Sequence, residues 1–188
     1  MGRSWQSPSG NLHASTIVRI LPSDPPAATL ALVSALALHE TAGPRATIKW
    51  PNDLLIDGRK FAGILLERGD DAVVIGFGVN VAHEPKDMDR RVTSLAAHGF
   101  EGDAAVLLQH LSPALARWIA RWRLNGVAAI LPAWLAAAHP IGTALKVTLG
   151  DGDAVEGQFD GLDNSAALRL RLADDSIRAI HAGDVFLL

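Results

Sequence analysis

The chain has 188 residues, 49% of them hydrophobic, and its 17 basic and 20 acidic side chains leave a formal charge of -3. That composition suits one or two globular domains with a substantial core, and no apolar run reaches the roughly 18 residues of a membrane span. With no cysteine, disulfides, thiol catalysis and cysteine-held metals are excluded, and a cytoplasmic location is the expectation.

The first ten residues, rich in Gly, Ser and Pro, read as loop. Leu12 to Leu21 is β-branched at Thr16, Ile17, Val18 and Ile20, so it predicts a strand, which Pro22 to Pro26 breaks. Ala27 to Ala42 has helix composition and stops at Gly43-Pro44. Thr29, Ser34, His39 and Glu40 interrupt this most apolar stretch, and it lacks a signal-cleavage pattern. A short strand, Ala46 to Trp50, ends at Pro51. Leu54 to Ile56 and Lys60 to Glu67 flank Asp57-Gly58, a hairpin-turn signal because both central residues must accept positive φ. Ala72 to Val81 is almost wholly apolar and predicts a strand buried on both faces.

Thr93 to His98 predicts a short helix. A longer one spans Asp103 to Leu124, with Pro113 as a kink or start, and Val127 to Ala138 is a further helical piece. The basic residues from Arg117 to Arg123 alternate with Trp118, Ile119 and Trp122, the pattern of an amphipathic helix rather than of a nucleic-acid face. From Pro140-Ile141-Gly142 onward the period becomes two. Strands at Leu145 to Leu149, Val155 to Phe159, Leu168 to Leu172, Ile177 to Ile180 and Val185 to Leu188 predict a small SH3-like barrel. So small a module has little core of its own and should dock on the larger domain. The expected division is a larger domain at 1–139 and a small β domain at 140–188.

Three segments carry candidate chemistry. In Ile48-Lys49-Trp50-Pro51-Asn52-Asp53-Leu54, a strand ends on a lysine whose exit angle Pro51 restricts. A fixed ammonium there suits a carboxylate or phosphate, although a surface lysine before an Asx turn has the same pattern. In Ile75-Gly76-Phe77-Gly78-Val79-Asn80, alternate glycines admit a ligand or another backbone, and Asn80 offers a donor and an acceptor. Tight strand–helix packing explains it equally well. In the opening loop, Gly2 and Arg3 suit a phosphate and Trp5 could cover a bound ring, which a disordered terminus also explains. The histidines form no i, i+4 pair, no serine elbow is present, and Asp70-Asp71 and Asp174-Asp175 read as solvated turns.

Lys49-Trp50-Pro51-Asn52-Asp53-Leu54 followed by Asp57-Gly58-Arg59-Lys60-Phe61-Ala62-Gly63-Ile64-Leu65-Leu66-Glu67 resembles the signature core of biotin protein ligases. Gly2-Arg3-Ser4-Trp5, Ile75 to Asn80 and the C-terminal strands are similar to further family segments in the same order. The resemblance implies an α+β fold with a mixed, mainly antiparallel sheet, helices, and a C-terminal SH3-like barrel. It implies ATP and biotin as substrates, with Mg2+ accompanying ATP, and two steps: formation of biotinyl-5'-AMP, then transfer of biotin to a lysine of a biotin carrier protein, expected to be that of acetyl-CoA carboxylase. By resemblance Lys49 contacts the biotin carboxylate and α-phosphate, Leu54, Gly76, Gly78 and Val79 line the biotin pocket, and Asn80 lies on the nucleotide side. Arg3 and Trp5 belong to the loop over the adenylate.

The family's loop is a longer Gly-Arg-Gly-Arg-x-Gly-Arg run of which only Gly2-Arg3 stands here, so an N-terminal portion is expected to be missing and activity impaired. No dedicated metal ligand, membrane contact or DNA-binding domain is expected, and a homodimer is possible. Two other readings stay open: a non-catalytic remnant that binds a carrier protein or partner subunit, and a lipoate-type acyl ligase.

Overall fold

A computed structural model describes residues 9–85, 91–150 and 152–188. Two five-stranded sheets and three α-helices account for most of them. The first sheet contains β1 (Leu12–Arg19), β2 (Ala46–Lys49), β3 (Asp53–Ile56), β4 (Arg59–Arg68) and β5 (Ala72–Val79), in the order β1-β5-β4-β3-β2. Every ladder between these strands is antiparallel, and single parallel bridges at Ile48–Ala138 and Lys60–Val92 are what make the pairing mixed. The β3–β4 turn places Asp57 and Gly58 at φ 50° and 71°, as a two-residue hairpin of this hand requires.

Helix α1 (Leu30–Ala42) connects the two edge strands β1 and β2 in the chain and packs against β2, β3 and β4 and against α2 (Ala104–Asn125). Its residues Leu32, Val33, Ala35, Leu36, Ala37 and Leu38 are all buried, because the helix lies between two apolar layers. Polar groups inside this layer are satisfied locally: Ser34 donates to the Leu30 carbonyl, and Trp122 Nε1 donates to Thr29 Oγ1 at 2.8 Å. Asp103 caps α2 by accepting from Val106 N, and the helix runs through Pro113 without interruption, so the proline neither starts nor ends it. The basic stripe of α2 is held in ion pairs, Arg117 with Glu40 and Arg123 with Asp24, while Arg121 lies over the Trp118 ring. Helix α3 (Leu131–Ala137) follows and touches α1, β2 and the second sheet.

The second sheet comprises β6 (Ala144–Thr148), β7 (Ala154–Leu162), β8 (Leu168–Arg171), β9 (Ile177–Ile180) and β10 (Asp184–Leu187), ordered β10-β6-β7-β8-β9. All of its ladders are antiparallel, and among the described residues none joins β10 to β9, so the expected barrel is an open one.

Two local expectations change. β5 is not buried on both faces: Val73, Ile75, Phe77 and Val79 are buried, whereas the alternate residues Val74, Gly76 and Gly78 are only half-buried. Only one side of this strand is covered by helices, and the glycines lie on the other. The segment 93–98 is helical only in the short turn Ala96–His98. Its first residues instead run beside β4, with Lys60 N donating to Arg91 O and Thr93 N to Lys60 O.

Candidate active site on the open sheet face

The antiparallel register sets one row of residues across all five strands. His13 pairs with Gly78, Gly78 with Gly63, Gly63 with Asp53, and Asp53 with Lys49. Side chains in one register row share a face, so the row has two Cβ-less positions at its centre and charged groups at one end. Gly76 lies two residues along β5 on the same face, between Ser15 and Leu65. Leu65 and Ile17, also on this face, are 59% and 71% exposed. An apolar, side-chain-poor floor with an ionic end is the form of a site for an elongated ligand carrying an anionic group. At its margin, a groove of about 960 Å³ opens between β1 and α2, with Phe77 and Leu111 among its lining residues.

The ionic end is built around Asp53. Its Oδ2 lies 3.5 Å from Lys49 Nζ, and its Oδ1 accepts a hydrogen bond from Lys60 Nζ. All three side chains are largely buried, at 12 to 19% exposure. Lys60 reaches this face because β4 bulges: Leu54 pairs with Ala62 but Leu55 pairs with Lys60, which leaves Phe61 as the extra residue. The Lys60 ammonium lies 3.1 Å from where a Cβ on Gly63 would stand, and therefore over the glycine floor. The turn between the lysines is fixed by Asn52, whose Nδ2 donates to Ile64 O at 2.7 Å while its carbonyl accepts from Ile64 N at 2.9 Å.

The structure thus brings together Lys49, Gly76 and Gly78 of the residues singled out in the sequence. Leu54 and Val79 are fully buried and belong to the opposite, helix-facing row, in register with Ala62. Asn80 is buried and donates to Thr93 O at 3.0 Å, joining β5 to the 91–95 segment. Arg3 and Trp5 lie outside the described residues. Two residues received no role in the sequence reading. One is Lys60, whose neighbours Phe61-Ala62 break the strand's alternation, a legible trace of a bulge. The other is Asn11, whose Oδ1 accepts from the backbone of Val81, Ala82 and His83 and shapes the chain leaving β5.

The geometry has clear parallels. Residues 1–80 match the model of the biotin/lipoate A/B protein ligase family, and residues 141–188 that of the biotin protein ligase C-terminal domain. The chain is 37% identical to the biotin–[acetyl-CoA-carboxylase] ligase of Paracoccus denitrificans, over 98% of its own length and 83% of that relative. It belongs to the biotin protein ligase family. Against the bifunctional ligase/repressor BirA of Bacillus subtilis the identity is 31%, over the whole chain but only 62% of the relative's length. The fold is that of the biotin protein ligase from Aquifex aeolicus, solved in complex with biotin and ATP. The TM-score is 0.87 at 21% identity, covering all of this chain and 83% of that one.

Beside Lys49, this biotin ligase family member carries one more titratable group. His139, in the link between the two sheets, lines a small cavity together with Lys49, Trp50 and Trp134. Its Nε2 is buried without a hydrogen-bond partner among the described residues. Burial, and then the Lys49 charge, lower its pKa below the ordinary 6.5. The unfolded chain therefore takes up the proton first, so stability is full above about pH 6.5 and is lost as pH falls toward the depressed value. In His139→Gln the fall in Tm between about pH 7.5 and about pH 5.5 should be flatter than in the parent chain. An unchanged slope would move the dependence elsewhere, first to His39, whose pKa burial also lowers.

Proposed function

We propose that this chain catalyses ATP-dependent ligation of biotin to a lysine of a biotin carrier protein through biotinyl-5'-AMP. The observation that carries the reading is the register row: a glycine floor on an open sheet face that ends at two lysines sharing one carboxylate. The fused rings of biotin would lie over Gly63, Gly76 and Gly78, with the valerate carboxylate toward Lys60 and Lys49. There a carboxylate oxygen attacks the α-phosphorus of ATP, the new O–P bond forms and the bond to pyrophosphate breaks. Two ammoniums at this point offset the charge of the carboxylate and phosphate as they meet, and Asp53 holds both in place. In the second step a neutral lysine amine of the carrier attacks the acyl carbon: the C–N bond forms, the acyl C–O bond to the phosphate breaks, AMP leaves and the amine's proton passes to solvent.

We assign Lys60 the position nearest the reacting groups and Lys49 a flanking one. Arg3 and Trp5 would close over the adenylate, Asn80 would support the nucleotide side from beneath, and Leu54 and Val79 would act by packing under the floor. Mg2+ would arrive with ATP, held by phosphates and water. Asp53, the only carboxylate in the row, is already engaged with two lysines, and among the described residues no three potential ligands converge on a metal site. The division at residue 139 fits two sheets joined by α3 and the 138–143 link. No described helix is long and apolar enough to cross a membrane, and a cytoplasmic site of action suits a cysteine-free chain. Pairing of two copies through a sheet edge is compatible with the edge position of β1.

The test is biotin-dependent exchange of pyrophosphate into ATP, followed by labelling of a biotin carrier domain. Exchange without biotin, or none with it, would overturn the reading. Gly76→Val supplies a sharper check. A Cβ at Gly76 stands 3.8 Å from Leu65 Cβ and from Ser15 Oγ, so the fold accommodates it while the floor is filled. The KM for biotin should rise about tenfold or more, the loss of a few contacts with the ring system, with Tm nearly unchanged. A biotin KM within twofold of the parent would place the ligand elsewhere.

A further inference from the structure

Trp50, next to Lys49, is 6% exposed and points away from the glycine floor toward the C-terminal sheet. Its indole Nε1 donates to the carbonyl of Ala166 at 2.9 Å, a contact spanning 116 residues of sequence. The acceptor is prepared for it. Ala166 has φ 68°, in the left-handed region, within a turn organised by Asp163, whose Oδ1 accepts from Ser165 N, Ser165 Oγ and Ala167 N. Two further contacts lie beside it: Ile48 bridges Ala138 at the end of α3, where the link to the second sheet begins, and Trp50 shares a small cavity with Leu145, Phe159 and Leu168 of the second sheet. On its far side the turn is tied to β4 through Asn52 and Ile64. The segment from Lys49 to Asp53 is thus suspended between the two sheets.

We propose that Trp50 is a positioning residue. Its indole-to-Ala166 hydrogen bond clamps the C-terminal sheet onto the 49–53 turn and so keeps Lys49, Asp53 and Lys60 in register over the glycine floor. This rests on the functional reading of that floor, and it makes the small second domain part of the site's alignment without its touching a substrate. Removing the donor while keeping a ring leaves the Ala166 carbonyl unpaired in a part-buried place, and a displacement of the turn by a fraction of an ångström to 1 Å is enough to slow an aligned reaction.

Trp50→Phe tests it in two arms. Amide hydrogen exchange should become at least about tenfold faster at residues 50–54, with the β1–β5 ladder unchanged; equal protection at 50–54 would overturn the clamp. In biotin-dependent pyrophosphate exchange, kcat should fall about tenfold or more with the biotin KM within about twofold. Leu170→Ala, a cavity in the second sheet that leaves the donor and acceptor of this bond in place, supplies the control: at a comparable loss of Tm it should keep its rate. A rate loss in Trp50→Phe no larger than in this control would reduce Trp50 to a stabilising role and overturn the proposal. An inactive parent chain would count against the functional reading alone, since the exchange arm needs no activity. Should Trp50→Phe not fold, the indole proton of Trp50 in the parent decides: slow exchange supports the clamp, and exchange as fast as free tryptophan overturns it.

Discussion

Lys60→Ala should lower the rate of biotinyl-adenylate formation by about a thousandfold, the upper range for removing one preorganised charge-stabilising group. Lys49→Ala should cost less, about tenfold to a hundredfold. The ordering follows from position. Both ammoniums share the Asp53 carboxylate, but the Lys60 nitrogen lies over Gly63 at the centre of the row, whereas Lys49 stands on the edge strand beside Trp50 and His139. Both variants should fold. Each removes one cation and leaves Asp53 with the other, so no carboxylate is stranded without a partner. Single-turnover measurement of adenylate with saturating biotin and ATP separates the chemical step from binding. If Lys49→Ala proves the more damaging, the roles exchange, and the flanking lysine is Lys60.

Trp122→Ala should be the most destabilising single truncation in the helical layer, by about 3–5 kcal/mol and roughly ten degrees in Tm. Trp122 is wholly buried, and its indole nitrogen donates to Thr29 Oγ1, which in turn donates to the Pro26 carbonyl. Truncation therefore opens a large cavity between α1 and α2 and removes a buried donor from a chain of two hydrogen bonds. Urea unfolding measures the loss. The folded fraction should keep its parent rate of adenylate formation, because the helical layer lies behind the sheet from the open face. A lower rate per folded molecule would connect α2 to the site.

Most elements could be read from local pattern: the Asp57-Gly58 hairpin, the helix of 30–42, and the five-strand rhythm after residue 140. Side-chain direction was harder. Period two, applied to Leu54 and Val79, puts them on the face opposite Lys49 and Gly78, yet nothing in a string of residues says which face is open. That depends on where α1 and α2 pack, a long-range outcome. Similarly, β5 reads as doubly buried because glycine counts as apolar, although Gly76 and Gly78 lie on its less buried face. The Asp53 pairing with both lysines was illegible because it needs the β3–β4 register, bulge included. The hydrogen bond from Trp50 to Ala166 joins residues too far apart for any local signal.

The bulge at Phe61 has a consequence for how this segment can vary. In an unbroken ladder residue 60 would share the face of Ala62 and Ile64, and its ammonium would be driven into the apolar layer under α1. One residue more or fewer between Lys60 and Gly63 therefore exchanges a cation on the open face for a buried one, while the hairpin itself can still form. The spacing from Asp53 to Lys60 to Gly63 is in effect a ruler. Substitutions along it should be tolerated far more readily than any change in its length, and a library of single-residue insertions and deletions across 57–63 should be nearly devoid of active members.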